Sequence, residues 1–225
     1  MSASATLSTE MNTDKGLANT IVADSSMSWI DGEEGILEYV GIEIDALARS
    51  STYEETVFLL WDRRLPTSDE LAAFTKTLQD AYDLPAPILQ MIQLLPADAV
   101  PMASLRTIVS ALSAFDPDES DQSPEATLRK STRIVAQTPT IIAAIDRHRK
   151  GLEIVAPDHT MTIAGNFLYM LNGEVPTKTM ERALDVCLIL HADHGLNASA
   201  FAGMVTVSTL SDIHSAIVTA IGTLK

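Results

Sequence analysis

Helix-start signals punctuate this chain from about residue 50 onward, and they constrain its fold more than any other feature. Ser51 and Thr52 each stand three residues before a glutamate, Glu54 and Glu55, and Thr67 stands three before Glu70. At that spacing a hydroxyl accepts from a free first-turn amide while the carboxylate reaches back to the amide at the cap. Helices are therefore expected from near Thr52 and Ser68. A long helix is expected over residues 125–137, with Arg129, Lys130 and Arg133 on its outer face. Thr138-Pro139 reads as a cap followed by proline at the first helical position, ending that helix and opening another over residues 140–150. Between the earlier helices and this one, residues 116–125 (DPDESDQSPE) read as a solvated loop without a site.

Only residues 20–40 look strand-like. Residues 20–23 (TIVA) and 36–40 (ILEYV) flank an Asp31-Gly32-Glu33-Glu34-Gly35 turn, which is a hairpin signal. No short repeat is visible. The expectation is an all-α, multi-helical fold of about ten helices with a small N-terminal β-hairpin.

The chain has 225 residues, 46% of them apolar, enough for a substantial core. Aromatics are only 5%, so that core must come from Ala, Leu, Ile, Val and Met. Thirty acids face 15 bases, a net charge of -15. That excess repels phosphate backbones and anionic lipid, which argues against nucleic-acid and membrane partners. Few lysines and many acids suit a surface adapted to high salt, where the repulsive shell is screened. The single cysteine, Cys187, excludes an internal disulfide and a multi-thiolate metal site. Residues 1–14 are Ser/Thr-rich without an apolar run, so no secretory signal is expected, and no apolar stretch reaches membrane-spanning length. A cytoplasmic protein is the expectation.

Chemistry concentrates in Leu188-Ile189-Leu190-His191-Ala192-Asp193-His194-Gly195-Leu196-Asn197-Ala198-Ser199. Met180, Ala183, Leu184, Cys187 and Leu188 follow a helical period, and continuing it places His191 and His194 on one inward side of a helix ending at Gly195. An imidazole there can donate to a carboxylate or carbonyl while backbone fixes its other nitrogen. The same pattern also fits a pair of core histidines bonded to backbone. A metal site is disfavoured, because Asp193 projects elsewhere and no third soft ligand is near. Cys187 lies on the apolar stripe and reads as a buried small hydrophobe. His148 and His159 read as surface residues, and His214 as a packing or capping residue. Residues 197–224 are rich in Ala, Gly and Ser, which suits internal packing or a subunit interface equally. Walker, dinucleotide-binding and nucleophile-elbow glycine motifs are absent.

The run from Leu188 to Ser199 is nearly the ILHADHGxNAS signature of citrate synthases, and the chain resembles that family from about Gly16 to Lys225. The resemblance is carried in order by Ile30-Asp31-Gly32-Glu33-Glu34-Gly35-Ile36-Leu37-Glu38-Tyr39, Leu65-Pro66-Thr67, Pro101-Met102-Ala103-Ser104-Leu105-Arg106-Thr107 and Pro139-Thr140-Ile141-Ile142-Ala143-Ala144-Ile145. It continues through Asn166 to Gly173, Ser208 to Asp212 and Ala220 to Lys225. The family's Tyr-Arg-Gly-Tyr is here Tyr39-Val40-Gly41-Ile42, and its His-Pro-Met is Val100-Pro101-Met102. These departures leave 2-methylcitrate synthesis open.

The resemblance implies condensation of acetyl-CoA with oxaloacetate to citrate and CoA, the first step of the tricarboxylic acid cycle, without a cofactor. It implies a homodimer formed through the small-residue helices around 197–224 and a haloarchaeal type of enzyme. Of the family's functional residues, His194 maps here as an oxaloacetate-binding group. Asn197 belongs to the same motif, with Ser199 and His191 as weaker candidates. The family's catalytic histidine lies in a Gly-Pro-Leu-His-Gly-Gly segment expected just beyond Lys225, so no catalytic residue is expected within these residues. The implied organisation is a flexible N-terminus over 1–15 and an incomplete large helical domain over 16–225, truncated before the small CoA-binding domain. A truncated homologue acting only by dimerisation is the alternative.

Overall fold

A computed structural model of the protein describes residues 23–224. Among these residues it is helical apart from one three-stranded antiparallel sheet. Strand β1 (Ser28–Asp31) pairs with β2 (Ile36–Tyr39) in the register Ser28↔Tyr39 to Asp31↔Ile36, and β3 (Ile42–Glu43) adds to β2. The hairpin is present, but its first strand is Ser28–Asp31 rather than residues 20–23. Ala23 is not in a strand, and residues 20–22 lie outside the described residues. The loop explains the placement. Asp31 Oδ1 accepts from the amides of Glu33 and Glu34, and Gly35 takes φ +69°, so a four-residue turn brings Ile36 directly opposite Asp31. The next loop, Val40-Gly41, has both residues at positive φ. Val40 is β-branched and strained there, but its side chain packs against the neighbouring core.

Ten α-helices follow: α1 (Ile44–Ser50), α2 (Tyr53–Asp62), α3 (Ser68–Asp80), α4 (Ala86–Leu94), α5 (Pro101–Leu112), α6 (Pro124–Arg149), α7 (Ile163–Asn172), α8 (Lys178–Leu190), α9 (Ala198–Ser208) and α10 (Ile213–Thr223). The capping signals locate α2 and α3 closely. Thr67 and Glu70 form the full reciprocal box. Thr52 accepts from the Glu55 amide, but the Glu55 carboxylate turns instead to the Ser51 hydroxyl, 2.6 Å away. Glu54 is no capping partner at all. It turns inward and accepts from the Ile163 amide at the start of α7.

Helix α6 passes straight through Thr138-Pro139, correcting the expected break. The Thr138 hydroxyl donates to the Ile134 carbonyl, so it does not cap a new helix. Tertiary contacts on both sides hold the segment helical despite the missing proline amide. Ile141, Ala144 and Ile145 pack with Ile88, Ile92, Ile108 and Leu112, while Ala136 packs with Leu78, Tyr82 and Ile163. Thr140 donates to the Tyr82 carbonyl and Gln137 to that of Asp83. Burying this apolar length outweighs one lost backbone bond.

Residues 116–125 are not simply solvated. Arg133 bridges Asp116 and Asp118 at 2.6 Å each, and Arg129 pairs with Asp118. Lys130 is fully buried rather than on an outer face, its Nζ donating to the Asp121 carbonyl at 2.6 Å. A composition-based reading sees acids and no bases in the loop; the bases come from the next helix. No described helix is long and apolar enough to cross a membrane.

Candidate functional site

The candidate stretch begins where α8 runs out. The apolar face of α8 buries Ile189 against Tyr39, Leu47, Leu59 and Leu60. The helix ends at Leu190, well short of Gly195, so the helical extrapolation fails at His191 and His194 is not on a helix. His191 is the C-cap residue. Its side chain is exposed and Nδ1 lies 2.7 Å from the Cys187 carbonyl, a helix-end contact that histidine favours. It is therefore not a packed core residue. Cys187 is exposed as well, against the expectation of burial.

Beyond His191 the chain makes a compact turn. Asp193 Oδ2 accepts from the Gly195 amide at 2.9 Å, Gly195 adopts φ +65°, and the Asn197 amide donates to the Gly195 carbonyl. That left-handed conformation is why glycine follows His194. His194 thus sits between two fixed points, with its imidazole exposed on the surface of the described residues. Asn197 is the N-cap of α9, Oδ1 accepting from the Ala200 amide at 2.8 Å. Ser199 Oγ accepts from the Thr223 hydroxyl at 3.3 Å, tying the start of α9 to the end of α10. His191, His194 and Asn197 therefore lie along the one connection between α8 and α9, with Ser199 in the first turn of α9, Asn197 engaged as a cap and His194 exposed.

Two other elements support this turn. The Tyr39 hydroxyl reaches it from β2, and Ile30 of β1 lies beside Gly195. Nothing in the linear sequence marks Tyr39 for this role; only the hairpin register brings it there. Behind α8, Arg182 binds Asp185 and the carbonyls of Ala48 and Ser51, and Asp185 accepts from the Tyr53 amide, so α8 is clamped to the α1–α2 junction.

The remaining histidines are elsewhere. His148 bonds the Leu95 carbonyl, and His159 pairs with Asp83. His214 is buried at the start of α10 near Asp116 and Asp212, and burial pushes its pKa down. Among the described residues no group of three His, Cys, Asp or Glu is placed to hold a metal ion. An apolar cavity of about 280 Å³ opens between α2, α6, α7 and α8, lined by Tyr53, Ile134, Pro139, Phe167 and Leu188. Its walls are mostly apolar and carry no cation to hold a dicarboxylate, and none belongs to the 192–199 segment.

Helices α9 and α10 cross closely, an added Cβ at Gly203 coming 3.5 Å from the Ala216 carbonyl. The small residues therefore serve packing within the chain. Yet α9, although mostly apolar, has no buried residue, and Val205 and Val207 on it and Leu210 just beyond it stand exposed.

A mostly helical domain with one small sheet, carrying a histidine-bearing turn between a clamped helix and an asparagine-capped one, defines the class. Comparison with known proteins gives it a family: residues 16–225 match the model "Citrate synthase, C-terminal domain", and the chain belongs to the citrate synthase family. It is 48% identical to citrate synthase of Haloferax volcanii over 215 residues, 94% of this chain and 57% of that protein. It is 40% identical to a 2-methylcitrate synthase of Mycobacterium tuberculosis, over 94% of this chain and 53% of that one. Among solved structures, citrate synthase from Pyrobaculum aerophilum superposes with a TM-score of 0.87 at 39% identity, over 92% of this chain and 53% of the other. A ternary complex of the Thermoplasma acidophilum enzyme with carboxymethyl coenzyme A and oxaloacetate superposes with a TM-score of 0.86 at 29% identity, over 92% and 54%. The chain thus spans a little over half the length of the relatives it matches.

Proposed function

We propose that this chain is the large-domain portion, residues 16–225, of a citrate synthase that condenses acetyl-CoA with oxaloacetate. The observation that carries the reading is the nearly intact signature from Leu188 to Ser199, within a match of 48% identity to a citrate synthase. In this reading His194 donates to oxaloacetate, Asn197 holds the start of α9 against the substrate turn, and Ser199 and His191 lie at its margin. No cofactor is required, acetyl-CoA being a substrate. The proton taken from the acetyl methyl group and the proton given to the ketone need a positioned base and acid. Residues 1–225 contain no Gly-Pro-Leu-His-Gly-Gly segment to supply the family's catalytic histidine.

The enzyme so assembled is a cytoplasmic, salt-adapted homodimer of haloarchaeal type. The net charge of -15 and the Haloferax relative support the salt adaptation. Support for a partner copy comes from the outer side of α9, where Val205 and Val207 are left exposed. Propionyl-CoA is the competing acyl donor, favoured by the similarity to a 2-methylcitrate synthase.

A CoA-thiol release assay tests the proposal. The 225-residue chain alone is expected to release no CoA from acetyl-CoA and oxaloacetate. Joined to the part of the Haloferax volcanii enzyme that it does not cover, it is expected to do so, and faster than with propionyl-CoA. Full turnover by the isolated chain would contradict the assignment of residues.

A further inference from the structure

The turn that carries His194 is anchored to the hairpin by one phenol, that of Tyr39. Tyr39 is fully buried, and its hydroxyl lies 3.0 Å from the Ile189 carbonyl and 3.1 Å from that of Asp193, two acceptors for one proton. The Asp193 amide donates back to the same oxygen at 3.2 Å. One group therefore bonds the last turn of α8 and both backbone polar groups of the residue before His194. Burial pushes the phenol's pKa up, so it remains a proton donor at any ordinary pH. The ring is fixed in turn by Leu47, Leu59, Leu60 and Ile189. On the turn itself, Asp193 Oδ2 and the positive φ of Gly195 complete the constraint from the far side of His194.

We infer that Tyr39 is a positioning residue for His194, its hydroxyl fixing the residue 192–195 turn and with it the direction of the imidazole. This rests on the reading of His194 as the oxaloacetate donor. A group 154 residues before Asp193 in sequence then sets the geometry of the substrate contact without touching substrate. Preorganisation of that kind acts on orientation, so a loss of the hydroxyl loosens the turn while the ring still fills the core.

Tyr39→Phe separates the two roles, because phenylalanine keeps the packing and deletes only the oxygen. NMR on the 225-residue chain measures the outcome. Amide exchange at Asp193 and Gly195 is expected to quicken by about tenfold or more, with the His194 ring resonances shifted or broadened. Exchange at Leu59 and Ile108 should stay near the wild-type value. Leu47→Ala, which removes packing from the same cluster, should instead lower the melting temperature without singling out Asp193. Unchanged exchange at Asp193 and Gly195 in Tyr39→Phe, or a uniform rise across the core, overturns the inference. Titration with oxaloacetate tests the other half. In the chain joined to the remainder of the Haloferax volcanii enzyme, a wild-type His194 resonance that does not respond removes the substrate reading, whereas the exchange pattern alone decides Tyr39's hold on the turn.

Discussion

Glu54 is only 2% exposed, and its Oε1 accepts from the Ile163 amide at 2.8 Å, which joins α2 to the first turn of α7. Burial, with Asp185 and Glu181 nearby, pushes its pKa above the usual 4.5. The folded protein therefore holds this proton more tightly than the unfolded one. The resulting stabilisation is complete below pH 4.5 and is lost as pH rises through the raised value. Glu54→Gln keeps the acceptor and cannot ionise, so its melting temperature at pH 7 should equal or exceed that of the wild type, the gap closing toward pH 4. Glu54→Ala strands a buried amide and should cost about 1–3 kcal/mol in denaturant unfolding. This residue also shows where the sequence misleads. Three-residue spacing after Ser51 suits a cap, but the side chain was needed inside, for a contact 109 positions away that no local pattern contains. Tyr39 is the same case at the site: the motif around His194 is legible in the chain, its support is not.

At the scale of elements, the α5–α6 connection depends on cations supplied by α6. The Asp116 side chain is 4% exposed and that of Arg133 22%, whereas Arg129 is half exposed. Arg133→Ala leaves Asp116 buried beside His214 without its cation and should cost on the order of 3 kcal/mol. Arg129→Ala should have a far smaller effect, since exposed pairs are screened and entropically costly. Equal melting-temperature losses for the two variants would contradict this division. Helix starts with short-range capping chemistry, at Thr52 and Thr67, could be read from sequence because the bonds involved span three residues. The continuity of α6 through Pro139 could not, because tertiary burial on both faces overrides a local stop signal. The end of α8 was misplaced for a related reason: helical periodicity continues on paper after Leu190, while the bonds from Tyr39 end it in space.

For the whole molecule, 30 acids against 15 bases should repel one another at low ionic strength. The Debye length falls from about 30 Å at 0.01 M to about 3 Å at 1 M, so the melting temperature should rise from dilute buffer to molar KCl. A flat or falling curve would remove the salt adaptation. The class of fold was visible in the sequence, because the ten α-helices of the described residues leave many start signals and their one hairpin leaves a clear turn. His194, held out between Asp193 and Gly195, is proposed to serve oxaloacetate rather than the core. The most direct test is steady-state kinetics beside a thermal melt, in the 225-residue chain joined to the remainder of the Haloferax volcanii enzyme. Removing one such donor should weaken oxaloacetate use by roughly 5- to 150-fold, equivalent to about 1–3 kcal/mol. The exposure of His194 predicts that His194→Ala does this with the melting temperature retained. A lowered melting temperature with oxaloacetate KM and kcat intact would make His194 a structural residue and rule out its role at the substrate.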